Sequence, residues 1–427
     1  MGLREILLLV VMFWNLENFF DPFEGNSSGF VRNRVVDKFV ETSGDCIADS
    51  LVDPWSDFLR DSLRDSLSDS LSLQDSKVLA VDTVVQKAVQ ITSVGQNIRR
   101  SSEEKFTKDV FTKEPFTPQG EKFWTWKKFA KKRDDIAKTI CLVKEECGVF
   151  PAIIGLCEVE NRFVLQQLVE NTPLAKLDYG IIHKDSPDRR GIDAALLYRK
   201  ELFSPLKVQF IPTRILATPL GESITTESVG ASGILLSRET VYVKGVFMGL
   251  DTLHCFVVHW PSKLGGNEAL SNRIAASNTL KKIADSILCT DSRANIIVMG
   301  DFNDSAESGP VENLDNLVNM STTEFYGGSY GVPSGYPERW NTYKYKEEWS
   351  RIDHFLISPW MYADNLGEVK WLFCRSESSR VFAHKFLLEE DTKYLGYKIR
   401  RTLVGSRYNG GISDHLPIIL RVYGYEF

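Results

Sequence analysis

The sequence predicts an α/β domain built on mixed β-sheets, and three observations point there. Apolar runs of strand length outnumber stretches with helical periodicity. Helical stretches separate some of those runs but not others, which suits mixed sheets better than an all-parallel one. With 427 residues, 43% of them hydrophobic, the chain is long enough to bury one large core or two ordinary ones.

The first element is the run Ile6 to Trp14, which reads as a buried strand with its exit loop reaching residue 25. A signal peptide fits it less well: Glu5 lies where positive charge is needed, no small-x-small cleavage site follows, and the run is too short to span a bilayer. Residues 26–112 change character. Leu59, Leu63, Leu67 and Leu71 recur every fourth position among Asp and Ser, giving one slowly drifting helical stripe. The segment reads as an insertion in a single domain spanning 1–427, packed on the main body or offered to a partner, with partial disorder as the alternative.

From Trp124 the pattern becomes regular. "TWKKFAKKRDDIAKTICLVKEEC" predicts a helix, "AIIGLCEVEN" a strand and "RFVLQQLVENTPLAKL" a second helix. "YGIIHKDSPDRRGIDAALLYRK" predicts two strands around a polar loop. After further strand-rich sequence come "LHCFVVHWPSK", a helix across 267–289, the strand "NIIVMGDFND", "RIDHFLIS" and a closing "ISDHLPIILRVY".

Net charge bounds the partners. The 51 Lys and Arg against 57 Asp and Glu leave −6, so no global basic field gathers a polyanion. Seven Cys at irregular spacing, without zinc-type pairs, favour a reducing compartment, and the expected location is cytoplasmic.

Polar groups recur where apolar runs begin or end. Asn15 and Glu17 follow the first run, Glu158 follows "AIIGLC", His259 follows "CFVV", Asp301 and Asn303 follow "NIIVMG", and Asp414 and His415 precede "LPIIL". Any one of them is an ordinary strand cap or turn. If these ends share one sheet edge, they form an acidic pocket with two imidazoles, suited to attack of water on a phosphate ester. Glu158, with Asn15 or Glu17 and Asp414, supplies hard oxygen ligands of the kind Mg²⁺ takes. His415 serves as general base if Asp353 accepts a hydrogen bond from its other ring nitrogen. Asp301 and Asn303 orient water and a phosphoryl oxygen, and His259 donates to a phosphate oxygen or the leaving group.

The ordered set "NLEN", "LCEVEN", "HWPS", "MGDFND", "RIDHFLIS" and "SDHLP" resembles the endonuclease/exonuclease/phosphatase superfamily with the deoxyribonuclease-I-like fold. The resemblance covers residues 1–25 and about 113–427, and it implies a four-layered α/β sandwich, dependence on Mg²⁺ or Mn²⁺, and hydrolysis of phosphodiesters or phosphomonoesters. By that resemblance Asn15 and Glu158 match the metal-site pair, and Asp301 and Asn303 the catalytic Asp-x-Asn. Asp353 matches the acid that pairs with the base, and Asp414 with His415 the terminal Asp-His. Glu17 stands where several relatives carry a second acid. His259 stands where abasic-site endonucleases carry Tyr, which argues against abasic-site repair. The 26–112 insertion is longer than this loop usually is.

Arg189, Arg190 and Asp193 are candidates for contact with substrate phosphate, set against an ordinary hairpin whose charges pair locally. His183, His254 and His354 read as structural; His354 adjoins Asp353, so only one of the two faces the site. Tyr336, Trp340, Tyr343, Tyr345 and Trp349 are rich enough to stack on bases, though loop packing suits them better. The expected function is a metal-dependent phosphodiesterase or nuclease acting on a phosphate ester, with nucleic acid as a candidate substrate. A phosphatase on small-molecule, sugar or lipid-headgroup phosphates is the alternative. A non-catalytic binding protein on the same fold requires a damaged site, and every principal role is filled.

Overall fold

The computed structural model of the protein describes residues 4–22, 116–186, 188, 190–212, 214–216, 234–236, 238–263, 266–321, 341–362, 371–394 and 396–426. The chain divides into a unit of residues 1–23 with 108–427, to which all of these belong, and a unit of residues 24–107, which lies outside them. The expected helix of the insertion, Arg189, Tyr336 and Trp340 therefore lie outside the described residues.

In chain order the principal elements are β1 (Arg4–Phe19), α1 (Trp126–Cys147), β2 (Ile153–Val159), α2 (Arg162–Glu170), β3 (Tyr179–His183) and β4 (Asp193–Arg199). They continue with β5 (Phe203–Ile211), β6 (Thr240–Phe247), β7 (Asp251–His259), α3 (Gly266–Thr290) and β8 (Asn295–Asp301). The last are β9 (Val318–Asn319), β10 (Asp353–Ile357), β11 (Ser379–Val381) and β12 (Ile418–Glu426). The second expected helix stops at Glu170 and resumes as a 3₁₀ turn over Pro173–Leu177, because Pro173 has no N–H to continue the ladder and Thr172 caps the new turn.

Two six-stranded mixed sheets result, ordered β11–β12–β1–β2–β4–β3 and β9–β10–β8–β7–β6–β5. Each has one parallel pair, β1–β2 in the first and β7–β8 in the second. A parallel pair needs a crossover, and α1 and α3 lie within those two connections. The helices cover the outer faces. Ala276, Leu280 and Ala284 of α3 pack with Phe256, Val258, Ile296 and Val298 of the second sheet. On α1, Phe129, Ile136, Ile140 and Val143 form the buried stripe, and its end is set by Gly148, whose φ of 81° is left-handed. The order is helix, sheet, sheet, helix: a four-layered α/β sandwich.

Because the inner strands are covered on both faces, they are apolar throughout rather than alternating. That is why Val10 to Phe13 and Ile296 to Met299 are all fully buried. The two sheets approach so closely at their centre that a Cβ on Gly155 of β2 would stand 2.6 Å from Met299 Sδ of β8. Alternation then turns Met299 and Asp301 toward the first sheet, and Ile296 and Val298 toward α3.

Candidate active site

Strand register gathers the candidate residues. In the second sheet His259 pairs with Asp301, and Asp301 with Asp353, so the ends of β7, β8 and β10 place three polar side chains on one rung. In the first sheet Asn15 pairs with Cys157, which brings Glu158 beside it. The two sets meet across the sandwich: Asn15 Nδ2 donates to Asp301 Oδ2 at 3.0 Å and reaches Glu158 Oε1 at 3.4 Å. Glu17, Asn18, Glu158 and Asn303 all have φ between 46° and 59°. Left-handed backbone in non-glycine residues is costly, and four of the eight such residues among the described ones lie at these strand exits.

His415 enters from the turn before β12. Trp14 Nε1 donates to its carbonyl at 2.8 Å, and Ser413 Oγ bridges from the Asn15 carbonyl at 2.5 Å to the His415 N–H at 3.0 Å. Its Nδ1 lies 2.8 Å from Asp353 Oδ2, leaving Nε2 pointed toward Asp301 Oδ2 at 3.8 Å and Asp414 Oδ1 at 3.9 Å. The Tyr343 ring lies against the imidazole at 5.0 Å between centroids. Burial pushes the His415 pKa down, but the charges of Asp353 and Asp301 outweigh it and hold the imidazolium well above the usual range. Burial lifts Asp301 to about 7, with His415 opposing and Asp353 adding to the rise. Asn303 closes the turn: its N–H donates to Asp301 Oδ1 at 2.8 Å and its Nδ2 to the Trp260 carbonyl at 2.9 Å.

His259 is buried, and its Nε2 lies 3.7 Å from Asp301 Oδ2 and 3.9 Å from Glu158 Oε1. Arg238 Nη1 stands 2.9 Å from His259 Nε2 and 3.2 Å from Nδ1, and Nη2 donates to the Trp260 carbonyl at 3.0 Å. Burial, then the Arg238 and Arg190 charges, drive the His259 pKa well below the imidazole range, so the ring is neutral. Arg190 is exposed and held by Asp188 through contacts of 3.1 and 2.8 Å. Asp193 is placed elsewhere: it is fully buried and receives the Ser186 N–H at 3.1 Å.

The Glu17 N–H donates to Asn15 Oδ1 at 3.0 Å, but its carboxylate is held apart from the Asn15–Glu158–Asp301 contacts. Its two carboxylate oxygens receive Arg401 Nε at 2.9 Å and the Thr402 N–H at 3.0 Å. Burial, reinforced by the Asp414 charge, raises its pKa to about 7. Asp414 shares the same guanidinium, with Oδ2 at 2.8 Å from Arg401 Nη2. Beneath them the buried Lys132 donates to the Glu17 carbonyl at 2.6 Å and to Thr402 Oγ1 at 2.8 Å. The neighbouring His354 faces away from the site, with ring nitrogens 2.8 Å from the Asp304 carbonyl and 3.0 Å from Ser321 Oγ.

The sequence reading missed Arg238, Arg401 and Lys132. A signal for two of them existed. Arg238 just precedes the apolar run of β6, as the other site residues border theirs, and Lys132 lies on the Phe129–Ile136–Ile140 stripe of α1, where a charge has to meet a partner. The donor set fits a hard divalent cation. It is dominated by oxygen, the hydrogen bond that Glu158 Oε1 accepts from Asn15 is a long 3.4 Å, and among the described residues Asp353 Oδ1 is buried without a hydrogen-bond partner. Ligand atoms of Asp301, Asp353 and His415 also lie within 4.8 Å of one another.

No curated protein matches the sequence. Among solved structures, an endonuclease/exonuclease/phosphatase family protein from Bacteroides thetaiotaomicron is 16% identical, covering 69% of this chain and 89% of its own at a TM-score of 0.41. The human Nocturnin catalytic domain with bound sulfate is 17% identical, covering 71% and 88% at 0.40. A mannosyl-6-phosphatase of Bacteroides thetaiotaomicron is 15% identical, covering 68% and 90% at 0.39. The sequence profile described as the Endonuclease/Exonuclease/phosphatase family matches residues 106–423, well over half of the chain, and the protein belongs to that family.

Proposed function

We propose that the protein is a metal-dependent phosphoesterase that cleaves phosphodiesters by in-line attack of water. One observation carries the reading: the His259–Asp301–Asp353 rung faces Asn15 and Glu158 across the sandwich, with His415 Nδ1 held by Asp353. Asp353 fixes the tautomer, so that in its neutral form His415 presents the Nε2 lone pair to a water proton. Asp301 and Asn303, locked together by their turn, orient that water and a phosphoryl oxygen. His259, kept neutral, and Arg238 and Arg190 face the phosphate, where fixed donors stabilise the charge that develops on its oxygens.

Asn15, Glu158 and Asp414 would hold a divalent ion, Mg²⁺ or Mn²⁺, which when bound would supply neutralisation of phosphoryl charge and assistance to the leaving oxygen. Glu17 acts through Arg401 and Thr402, positioning Asp414 rather than joining the ligands. A second reading, hydrolysis of phosphomonoesters, is favoured by the two guanidinium groups near His259, since a terminal dianion gains most from paired Arg donors.

Paired aryl phosphate esters, one diester and one monoester, test the proposal with Mg²⁺, Mn²⁺ or chelator, alongside plasmid nicking across a salt series. The expected result is metal-dependent diester cleavage. Nicking that weakens steeply with salt identifies nucleic acid as the substrate. Monoester cleavage alone replaces the first reading with the second, and no turnover of either ester with any metal overturns both.

A further inference from the structure

Away from the catalytic rung, the base of the β3–β4 loop gathers a second set of metal-ligating groups. His183 ends β3, Asp193 begins β4, and Asp185 lies between them. Ligand atoms of all three lie within 4.8 Å of one another. The His183 side chain is only 2% exposed, yet among the described residues its Nε2 has no hydrogen-bond partner. A buried ring nitrogen left in this state is costly unless something outside the protein chain satisfies it.

Asp193 Oδ2 lies 3.4 Å from His183 Nε2. That separation is long for a charge-assisted hydrogen bond, which runs to about 2.7–2.9 Å. It suits two ligands of one tetrahedral ion: bonds of about 2.0–2.1 Å set ligand atoms about 3.4 Å apart. The outer contacts are in place as well. Asp193 Oδ1 receives both the Ser186 N–H at 3.1 Å and Ser186 Oγ at 2.5 Å, an arrangement that aims Oδ2 at His183. Nearby, Glu239 has its pKa raised by burial first and, more weakly, by the Asp193 charge; its Oε1 accepts from Lys184 at 3.0 Å, and among the described residues its buried Oε2 has no hydrogen-bond partner. Asp185 is exposed and offers an entry path.

We propose that His183, Asp185 and Asp193 bind a zinc-class divalent ion that joins the two ends of the β3–β4 loop. One imidazole with two carboxylates is a borderline donor set that suits Zn²⁺ better than Mg²⁺ or Ca²⁺. The loop carries Asp188 and Arg190, so the ion sets how rigidly that pair is presented beside the catalytic rung. The inference does not depend on which ester is hydrolysed. The competing account is a plain buried His–Asp ion pair.

The test is equilibrium dialysis of Zn²⁺ against the metal-stripped full chain, in a Glu158→Ala background with excess Mg²⁺ so that the hydrolytic site contributes least. Asp185→Asn, at an exposed position, and His183→Gln are compared with that parent, and circular dichroism checks that each is folded. The expected result is one Zn²⁺ bound by the parent, with affinity at least about 10-fold weaker in Asp185→Asn, in line with the loss expected on perturbing a metal site. Co²⁺ bound to the parent should show tetrahedral visible absorption that Asp185→Asn lacks. Zn²⁺ should also raise the parent's melting temperature and leave that of Asp185→Asn unchanged. No Zn²⁺ uptake by the parent, or uptake equal in the parent and folded Asp185→Asn, overturns the proposal in favour of the ion pair.

Discussion

His415 and Asp301 share one buried electrostatic problem. Asp353 and Asp301 keep His415 protonated above the ordinary imidazole range, while a general base has to be neutral to work. The acid limb of kcat/KM is therefore expected above pH 6.5, the unperturbed imidazole value. Asp353→Asn removes the first-named acid, so it should move that limb to lower pH and reduce kcat by about 10²–10⁴-fold, the range for losing a positioned base. A pH–rate profile checks this, and a limb that stays in place contradicts the pairing. Asp301 predicts a stability effect of definite sign. Its folded pKa is about 7 against 3.8 ordinarily, so its contribution is complete below the ordinary value and is lost as pH rises through 7. In chelator, the wild-type melting temperature should fall from pH 5 to pH 8 relative to Asp301→Asn. Parallel curves for the two proteins would rule out a buried, raised Asp301.

At the scale of elements, the site depends on how closely the two sheets pack behind it. Gly155 is a point of close approach, where a side chain would run into Met299. Gly155→Val should destabilise the protein by about 1–3 kcal/mol, the usual cost of overpacking. Denaturant midpoints measure it, with partial recovery expected when Met299→Ala is added; an unchanged midpoint would mean the sheets are looser than described. This scale also shows what the sequence made legible. Strand ends were readable because an apolar run stopping at Asn15, Glu158, His259 or Asp301 is a local signal. The register that puts His259, Asp301 and Asp353 on one rung is not local, since it follows from pairing between strands distant in sequence. Arg401 was invisible for the same reason: nothing near it in the chain announces that its guanidinium joins Glu17 to Asp414. Glu17 was legible as an acid at a strand exit, but its engagement by Arg401 and Thr402 was not.

For the whole molecule, the proposed activity asks how an acidic chain would attract an anionic ester. With a net charge of −6, attraction has to be local, and Arg238 at 2.9 Å from His259, with the Arg190 charge felt at the same ring, offers it. No helix among the described residues is long and apolar enough to cross a membrane. The central claim is that a His415–Asp353 base works on a phosphodiester opposite a cation held at Asn15 and Glu158. Turnover of a bis-aryl phosphate by wild type, His415→Ala and Glu158→Ala, across Mg²⁺ concentrations and in chelator, tests it most directly. The account predicts wild-type turnover that chelator abolishes, a loss of several orders of magnitude in His415→Ala at any Mg²⁺, and a Glu158→Ala enzyme whose main defect is a raised Mg²⁺ requirement. Equal turnover by all three proteins, or wild-type turnover untouched by chelator, would contradict it.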